Sequence, residues 1–517
     1  MDQHQRETLL FECRGINLAN PVDRMPPGTF RMLENTRPYG NGRIQGRQGE
    51  FQVSQQLNAG ADVVHSLYGW NDPVPAPPAT GFETHARLAG VGTDLYGAKD
   101  GISGIGNFAY LVSQNFSGNP LSFVTVPSDF TPRPWVLIGD SLKMRKDSSE
   151  VFQDLPIGIA PLNIAPTIAF GAANSDGPDI GETNVPYVYA FRARADSKLF
   201  TGAISDLGPA VRQVNGLSPS SAVGAPTPPT NIVVTLPLAH TDFQVAWIDV
   251  YRYGGSITAW TYIGTMENSA GNTMTDSFND LAIASNNQIV YGDNPQPFVT
   301  LDNSKNGVCT LTALGAGLGA TLTWVSGDVL RPYDATGDDP YYPLGTQVSV
   351  AGTLFTFYAS PTSTTVVELL EDPPAGLAGG DFQINNPEIW KQPLPCLWGP
   401  YGGGQTGIFV FGCGDPLGAG NVYWTKGNHP ENHPAANTLT ITSGSETMMN
   451  GCMYGGEPFV FSTNRLFRMY PTLGQITDFI AVEVPNSKGL FARWGLCTTP
   501  QGIAFVAKEG SFLRAGG

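Results

Sequence analysis

One design recurs four times along this chain: a short apolar run, a polar turn, and a second run carrying an aromatic or long apolar side chain. It occurs in RLAGVGTDLYGAKDG (87–101), PWVLIGDSLKMRK (134–146), PFVFSTNRLFRMY (458–470) and GIAFVAKEGSFLRAGG (502–517). Runs of this kind about a Gly, Asp, Ser or Asn turn form β-hairpins. The units keep a rough period. Leu88 and Trp135 stand 47 residues apart, Phe459 and Ile503 stand 44 apart, and Ile408 in GIFVFGCGD (407–415) precedes Phe459 by 51. Antiparallel strands repeating every ~40 to 50 residues are the mark of a β-propeller, in which each blade buries its faces against its neighbours. Several unrelated hairpins in a sandwich are the alternative.

Composition supports a strand-rich chain. Of 517 residues 62 are glycine and 42 proline, with 41% hydrophobic and 10% aromatic, which argues against a disordered chain and points to many short strands joined by turns. Charged residues are 14%, against about 25% in an average soluble protein, so Lys/Glu-rich surface helices are scarce. The only short helices expected lie near 28–35 and 275–284. A net charge of -16 opposes wrapping by nucleic acid and binding to anionic membrane, but suits a wall along which DNA slides without sticking. The six cysteines have no CxxC spacing, the first residues lack a signal-peptide core, and no run of eighteen apolar residues occurs. Free thiols and synthesis in a reducing cytosol are expected.

The texture changes between the hairpin-bearing ends. Residues 185–295 have the short strands and Pro/Gly punctuation of a fibronectin III-like sandwich, with Val245, Trp247 and Asp249 expected on one strand face and a loop at 216–229. Residues 300–390 carry alternating strands that suggest a small SH3-like β-barrel. The fold class expected is therefore all-β, a β-propeller built from 1–180 and 391–517 with these two inserts.

Motifs that carry chemistry are weak. GAGLGA (315–320) matches a dinucleotide fingerprint, but a strand follows it instead of a helix, so a glycine-rich hairpin loop is expected. His429 and His433 flank Glu431 at a spacing that would serve a metal on a helix. Pro430 and Pro434 oppose a helix there, and a solvated loop is expected. Asp334, Asp338 and Asp339 lack the calcium-loop spacing. No GxSxG occurs. No enzyme activity, cofactor or metal is expected. The first fifty residues differ in charge: seven arginines against six acids, while the remainder carries the negative balance. Guanidinium forks pair carboxylates bidentately. Arg14, Arg24, Arg31, Arg37, Arg43 and Arg47 are thus candidates for an assembly interface with an acidic neighbour.

GINLANPVDRMPPGTFRMLENTRPYGNGRIQGRQG (15–49), GNVYWTKGNHPENHPAANTLTI and MNGCMYGGEPFVFSTNRLFRMYP (within 420–471) resemble segments of tailed-phage tail nozzle and hub proteins of the tail tubular protein B type. The motifs are structural and transfer no catalytic residue. The resemblance implies a virion protein of the tail, assembled in the host cytoplasm. It implies a homo-hexameric ring below the portal and adaptor, lining the DNA exit channel, in transient contact with the genome, bearing fibre or spike proteins and not inserted in membrane. One departure is the end at GSFLRAGG, where a propeller needs a closing strand. Either the N-terminal segment supplies it, or part of the propeller lies on another chain or was removed. Two other readings remain: a carbohydrate-binding adhesin stacking sugars on Trp70, Trp260, Trp324, Tyr341 and Tyr342, and a propeller hydrolase with two carboxylates about 5 to 9.5 Å apart.

Overall fold

Dense turns and alternating apolar runs leave room for little besides sheet. In the computed structural model strands account for 61% and helix for 1%, and the sheets are almost wholly antiparallel. Of residues 1–61 the structure describes the backbone of four short strands. Beyond them it describes 62–515 apart from 73–83, 100–107, 127–133, 148–153, 179–186, 196–203, 213–229, 290–304, 328–346, 385–392 and gaps of one to four residues. The chain divides into Met1–Gln55 and Gln56–Gly517. In the first unit Gly15–Ile16 pairs in parallel with Thr29–Phe30, and Thr36–Tyr39 pairs antiparallel with Arg43–Gly46. Thr29–Phe30 is strand where a helix was expected at 28–35.

In the second unit five sheets stack face to face, each formed of strands consecutive in sequence. The first holds Val64–Asp72, Thr84–Val91, Asp94–Lys99 and Tyr110–Ser113. The second holds Ser122–Val126, Trp135–Gly139, Met144–Asp147 and Leu155–Pro156. The third resumes far along the chain with Cys396–Gly402, Ile408–Cys413, Asn421–Trp424 and Thr438–Thr440. The fourth holds Met448–Tyr454, Glu457–Ser462, Leu466–Thr472 and Gln475–Glu483, and the fifth Leu496–Thr499, Gly502–Val506 and Phe512–Ala515. All four recurring segments are hairpins inside these sheets.

Strand alternation explains the stacking. In the first sheet Trp70, Leu88 and Leu95 face Val136 and Ile138 of the second, while the second sheet's other face sends Val124, Trp135 and Leu137 against Leu397, Val410 and Tyr423 of the third. The third and fourth sheets share a core in which Phe479 meets Phe409, Phe411, Trp424 and Tyr401 edge-on, at centroid distances of 5.4, 5.0, 5.4 and 5.7 Å. Phe461 and Phe505 join the fourth sheet to the fifth. From the second sheet to the fifth, the opening strand of each lies against the opening strand of the next.

Between the second and third sheets the chain forms two further bodies. A three-stranded sheet (Thr167–Ala173, Thr230–Thr235, Thr273–Asp276) packs on a five-stranded one (Ile204–Arg212, Val188–Ala195, Val245–Gly254, Ile257–Glu267, Gln288–Ile289) around Phe191, Val234, Ile248 and Val250. This sandwich takes in Thr167–Ala173, ahead of the boundary expected near 180. A short helix in it, Asp280–Ile283, is capped by Asn279 and falls within the 275–284 segment expected to be helical. The face expected to carry Val245 with Trp247 and Asp249 is corrected: the register shifts between Arg194 and Ala195, opposite Val245, so Val245 joins the core with Ile248 and Val250. Asp249 points the other way, to Arg192 at 2.7 Å, Arg194 at 3.1 Å and the Thr265 hydroxyl at 2.7 Å. Burial opposes its charged form, but the two guanidinium groups outweigh burial and hold its carboxyl below the usual range.

The second body is a closed six-stranded barrel, in the order Lys305–Ala313, Ala320–Gly327, Val366–Leu369, Thr353–Ser363, Gln347–Val350 and Gly379–Ile384. Leu322, Val348, Phe355 and Phe382 fill it. Ala313 pairs with Ala320 at the end of its first hairpin, and Gly319 N–H donates to Asp372 at 2.5 Å; the central residues of GAGLGA, 316–318, lie outside the described residues.

Candidate functional site

The second and third sheets are distant in sequence and adjacent in space, and buried polar groups join the two ends of the second unit across their seam. Ser122 opens the second sheet, and its hydroxyl donates to Pro395 C=O at 2.9 Å while accepting from Leu397 N–H at 2.9 Å. Gly139 stands opposite Ser122 in the sheet. A Cβ there would fall 2.6 Å from Leu394 O and 2.9 Å from Leu397 Cγ, so the incoming chain can lie this close only over a glycine. Ser122→Ala would leave a buried N–H and a buried C=O without their partner. The expected loss of stability is about 1–3 kcal/mol, checked by urea unfolding of the full chain, and a loss too small to measure would show that the hydroxyl does not join the sheets.

Lys146 crosses the same seam. Its register partner Leu137 belongs to the face turned to the third sheet, so the ammonium enters that interface. There it pairs with Glu431, the two side chains being 0% and 4% exposed. Gly158 N–H donates to the same Glu431 oxygen at 2.8 Å, and the Trp135 ring centre lies 5.3 Å from Lys146 Nζ. The NHPENHP segment that brings Glu431 here is not the solvated loop expected: Glu431, Asn432 and His433 are buried. Its prolines fix a tight path whose backbone is paired internally, with Lys426 N–H donating to Asn432 C=O at 2.8 Å and Asn432 N–H to His429 C=O at 2.9 Å. A loop satisfied in this way can enter an interface without stranding its peptide groups. Among the described residues no cluster of three or more His, Cys, Asp or Glu side chains is placed to hold a metal ion.

The other residues singled out in the sequence are dispersed. Arg37 and Arg43 stand on the paired strands Thr36–Tyr39 and Arg43–Gly46, while Arg14, Arg24, Arg31 and Arg47 lie outside the described residues, as do Asp334, Asp338, Asp339, Tyr341 and Tyr342. The sugar-stacking set is corrected: Trp70 and Trp260 are core residues at 6% and 4% exposure, and Trp324 packs half-buried on the barrel core. Among the cysteines, Cys396 and Cys413 face each other across adjacent strands as buried free thiols, and burial together with the neighbouring thiol pushes the Cys413 pKa well up. Such thiols are inert toward electrophiles.

Sequence reasoning missed the charged groups inside the sheets. Arg252 is fully buried in the sandwich interior, where it donates to Asp276 at 2.6 Å, Asp280 at 2.9 Å and Phe278 C=O at 2.8 Å, with its guanidinium 4.8 Å above the Tyr187 ring. Tyr189 donates to Asp276 and Tyr187 to Asp280. Arg252 shares strand parity with the core residues Ile248 and Val250, which is the signal that could have placed it. No protein-family model matches the chain, and no curated protein matches it.

Proposed function

We propose that this chain is a structural protein of a tailed-phage virion, a tail nozzle or hub ring component that lines the DNA exit channel and performs no catalysis. The observation that carries the reading is the stack of five consecutive-strand sheets drawn from both ends of the second unit, with the opening strands of four adjacent. This is how propeller blades meet around an axis. We read the two intervening bodies as a fibronectin III-like sandwich and an SH3-like barrel, inserts that would decorate a ring. The net charge of -16 supports a channel role, since a negative wall does not retain a polyanion. Portal or adaptor and fibre or spike proteins are the partners proposed, and the virion tail the location. With Trp70 and Trp260 in cores, the adhesin reading loses two of its stacking residues.

The arginines of the first unit are proposed to dock on an acidic surface of an adjacent copy or adaptor. Deleting residues 1–50 is therefore expected to abolish ring assembly, seen by negative-stain microscopy and light scattering, while far-UV dichroism keeps the strand signal of the remaining sheets. Rings of unchanged size from the truncated chain would show that this unit plays no part in assembly.

A further inference from the structure

The charge pair at the seam of the second and third sheets is placed for a reaction as well as for attraction. Lys146 and Glu431 are 285 residues apart, so packing alone brings Nζ and Oε2 together. Their side chains are 0% and 4% exposed, and Trp135, which the ammonium faces, belongs to the apolar cluster of Met144, Ile157, Leu394 and Tyr423. Both partners are enclosed, which sets the pair apart from the partly exposed lysine–carboxylate contact nearby. Lys143 and Asp154 are 3.8 Å apart and 15% and 42% exposed, and the other buried pairs involve arginine.

We infer that Lys146 and Glu431 condense into an intramolecular isopeptide bond, making the seam a self-modifying covalent tie between the two ends of the second unit. The step is balanced within the pair. One proton passes from the ammonium to Oε1 of the carboxylate, giving a neutral amine and a neutral carboxylic acid whose Oε2 is the carbonyl oxygen. The Nζ lone pair attacks Cδ, and Oε2 takes the developing negative charge while it holds the Gly158 N–H at 2.8 Å. A second proton leaves Nζ for the departing Oε1, the C–O bond breaks, and water is released. An ammonium and a carboxylate thus become one amide and one water, with no oxidant, cofactor or outside base.

Three physical features drive the step. Folding holds the reacting atoms together and so removes the entropy cost of an encounter. Two charges buried in an apolar seam carry a desolvation penalty that a neutral amide escapes. The reverse reaction needs water to return to Cδ after the released molecule has left, and the two side chains are nearly closed to solvent. Arginine in place of lysine keeps the charge but, protonated and delocalised, is no acyl acceptor.

The intact mass of the folded, then denatured, full chain tests this. The expected value is below the sequence mass by one water, with a branched proteolytic peptide joining the segments that contain Lys146 and Glu431. Lys146→Arg is expected to show the full mass. Because dehydration of an aspartate elsewhere removes the same mass, the branched peptide is decisive in the unsubstituted chain, whatever the stability of the variant. A full mass in the folded protein, or a mass loss without a branched peptide joining the segments of Lys146 and Glu431, overturns the inference.

Discussion

Arg252→Leu is expected to destabilise the sandwich by about 3–5 kcal/mol. The guanidinium is the centre of a buried network: it satisfies Asp276, which is itself fully buried, together with Asp280 and the Phe278 carbonyl, and it covers Tyr187. Leucine would fill part of the space but leave the buried Asp276 carboxylate with only the Tyr189 hydroxyl and its own turn, where it accepts from Phe278 N–H at 3.2 Å. Burying a charge whose partner has been removed is among the costliest single changes a core can suffer. Arg252→Lys restores the charge without the fork, so it should lose less than leucine and more than nothing. Urea unfolding followed by tyrosine and tryptophan fluorescence measures the series. Equal, small losses for both variants would mean that the network is not what holds this core together.

Phe479→Ala is expected to have a comparable effect on the stacked sheets, about 3–5 kcal/mol. Phe479 lies on the last strand of the fourth sheet, is 3% exposed, and presents its ring to four aromatic rings of the third. Alanine removes the buried ring, leaves a cavity in a rigid surround, and forfeits the edge-to-face contacts, each worth about 0.5–1.5 kcal/mol beyond area. Phe479→Leu keeps much of the volume and should lose clearly less. Thermal unfolding read by near-UV dichroism gives the comparison. A small loss for alanine would indicate that the third and fourth sheets are held by something other than this aromatic contact.

The hairpins were legible because their information is local: alternation and turn residues lie within fifteen positions, and strands such as Trp135–Gly139 and Glu457–Ser462 form where the pattern places them. The pairing of sheets was less legible. That the second sheet lies against the third depends on Ser122, Gly139 and Lys146 meeting Pro395, Leu397 and Glu431, contacts that span more than 250 residues and leave no periodic trace. Buried charge was the least legible feature. Lysine, arginine and glutamate are assigned to the surface by default, and only a partner visible in three dimensions reverses that assignment for Lys146, Arg252 and Glu431. The face of Val245 was misjudged for a different reason, because one register shift reverses strand parity and alternation cannot reveal it. In NHPENHP the prolines were correctly taken to forbid a helix, but a rigid non-helical segment with its backbone paired internally can pack as tightly as a strand.

The proposed role requires the chain to close on copies of itself, because a channel wall is made by a cyclic assembly and not by one subunit. Native mass spectrometry of the purified full-length protein, repeated over a range of concentrations at physiological ionic strength, measures this directly. A hexamer is expected, with open rings or single subunits as minor species at most. A chain that stays monomeric at every concentration, alone and with its candidate adaptor, would contradict the ring and with it the nozzle or hub reading.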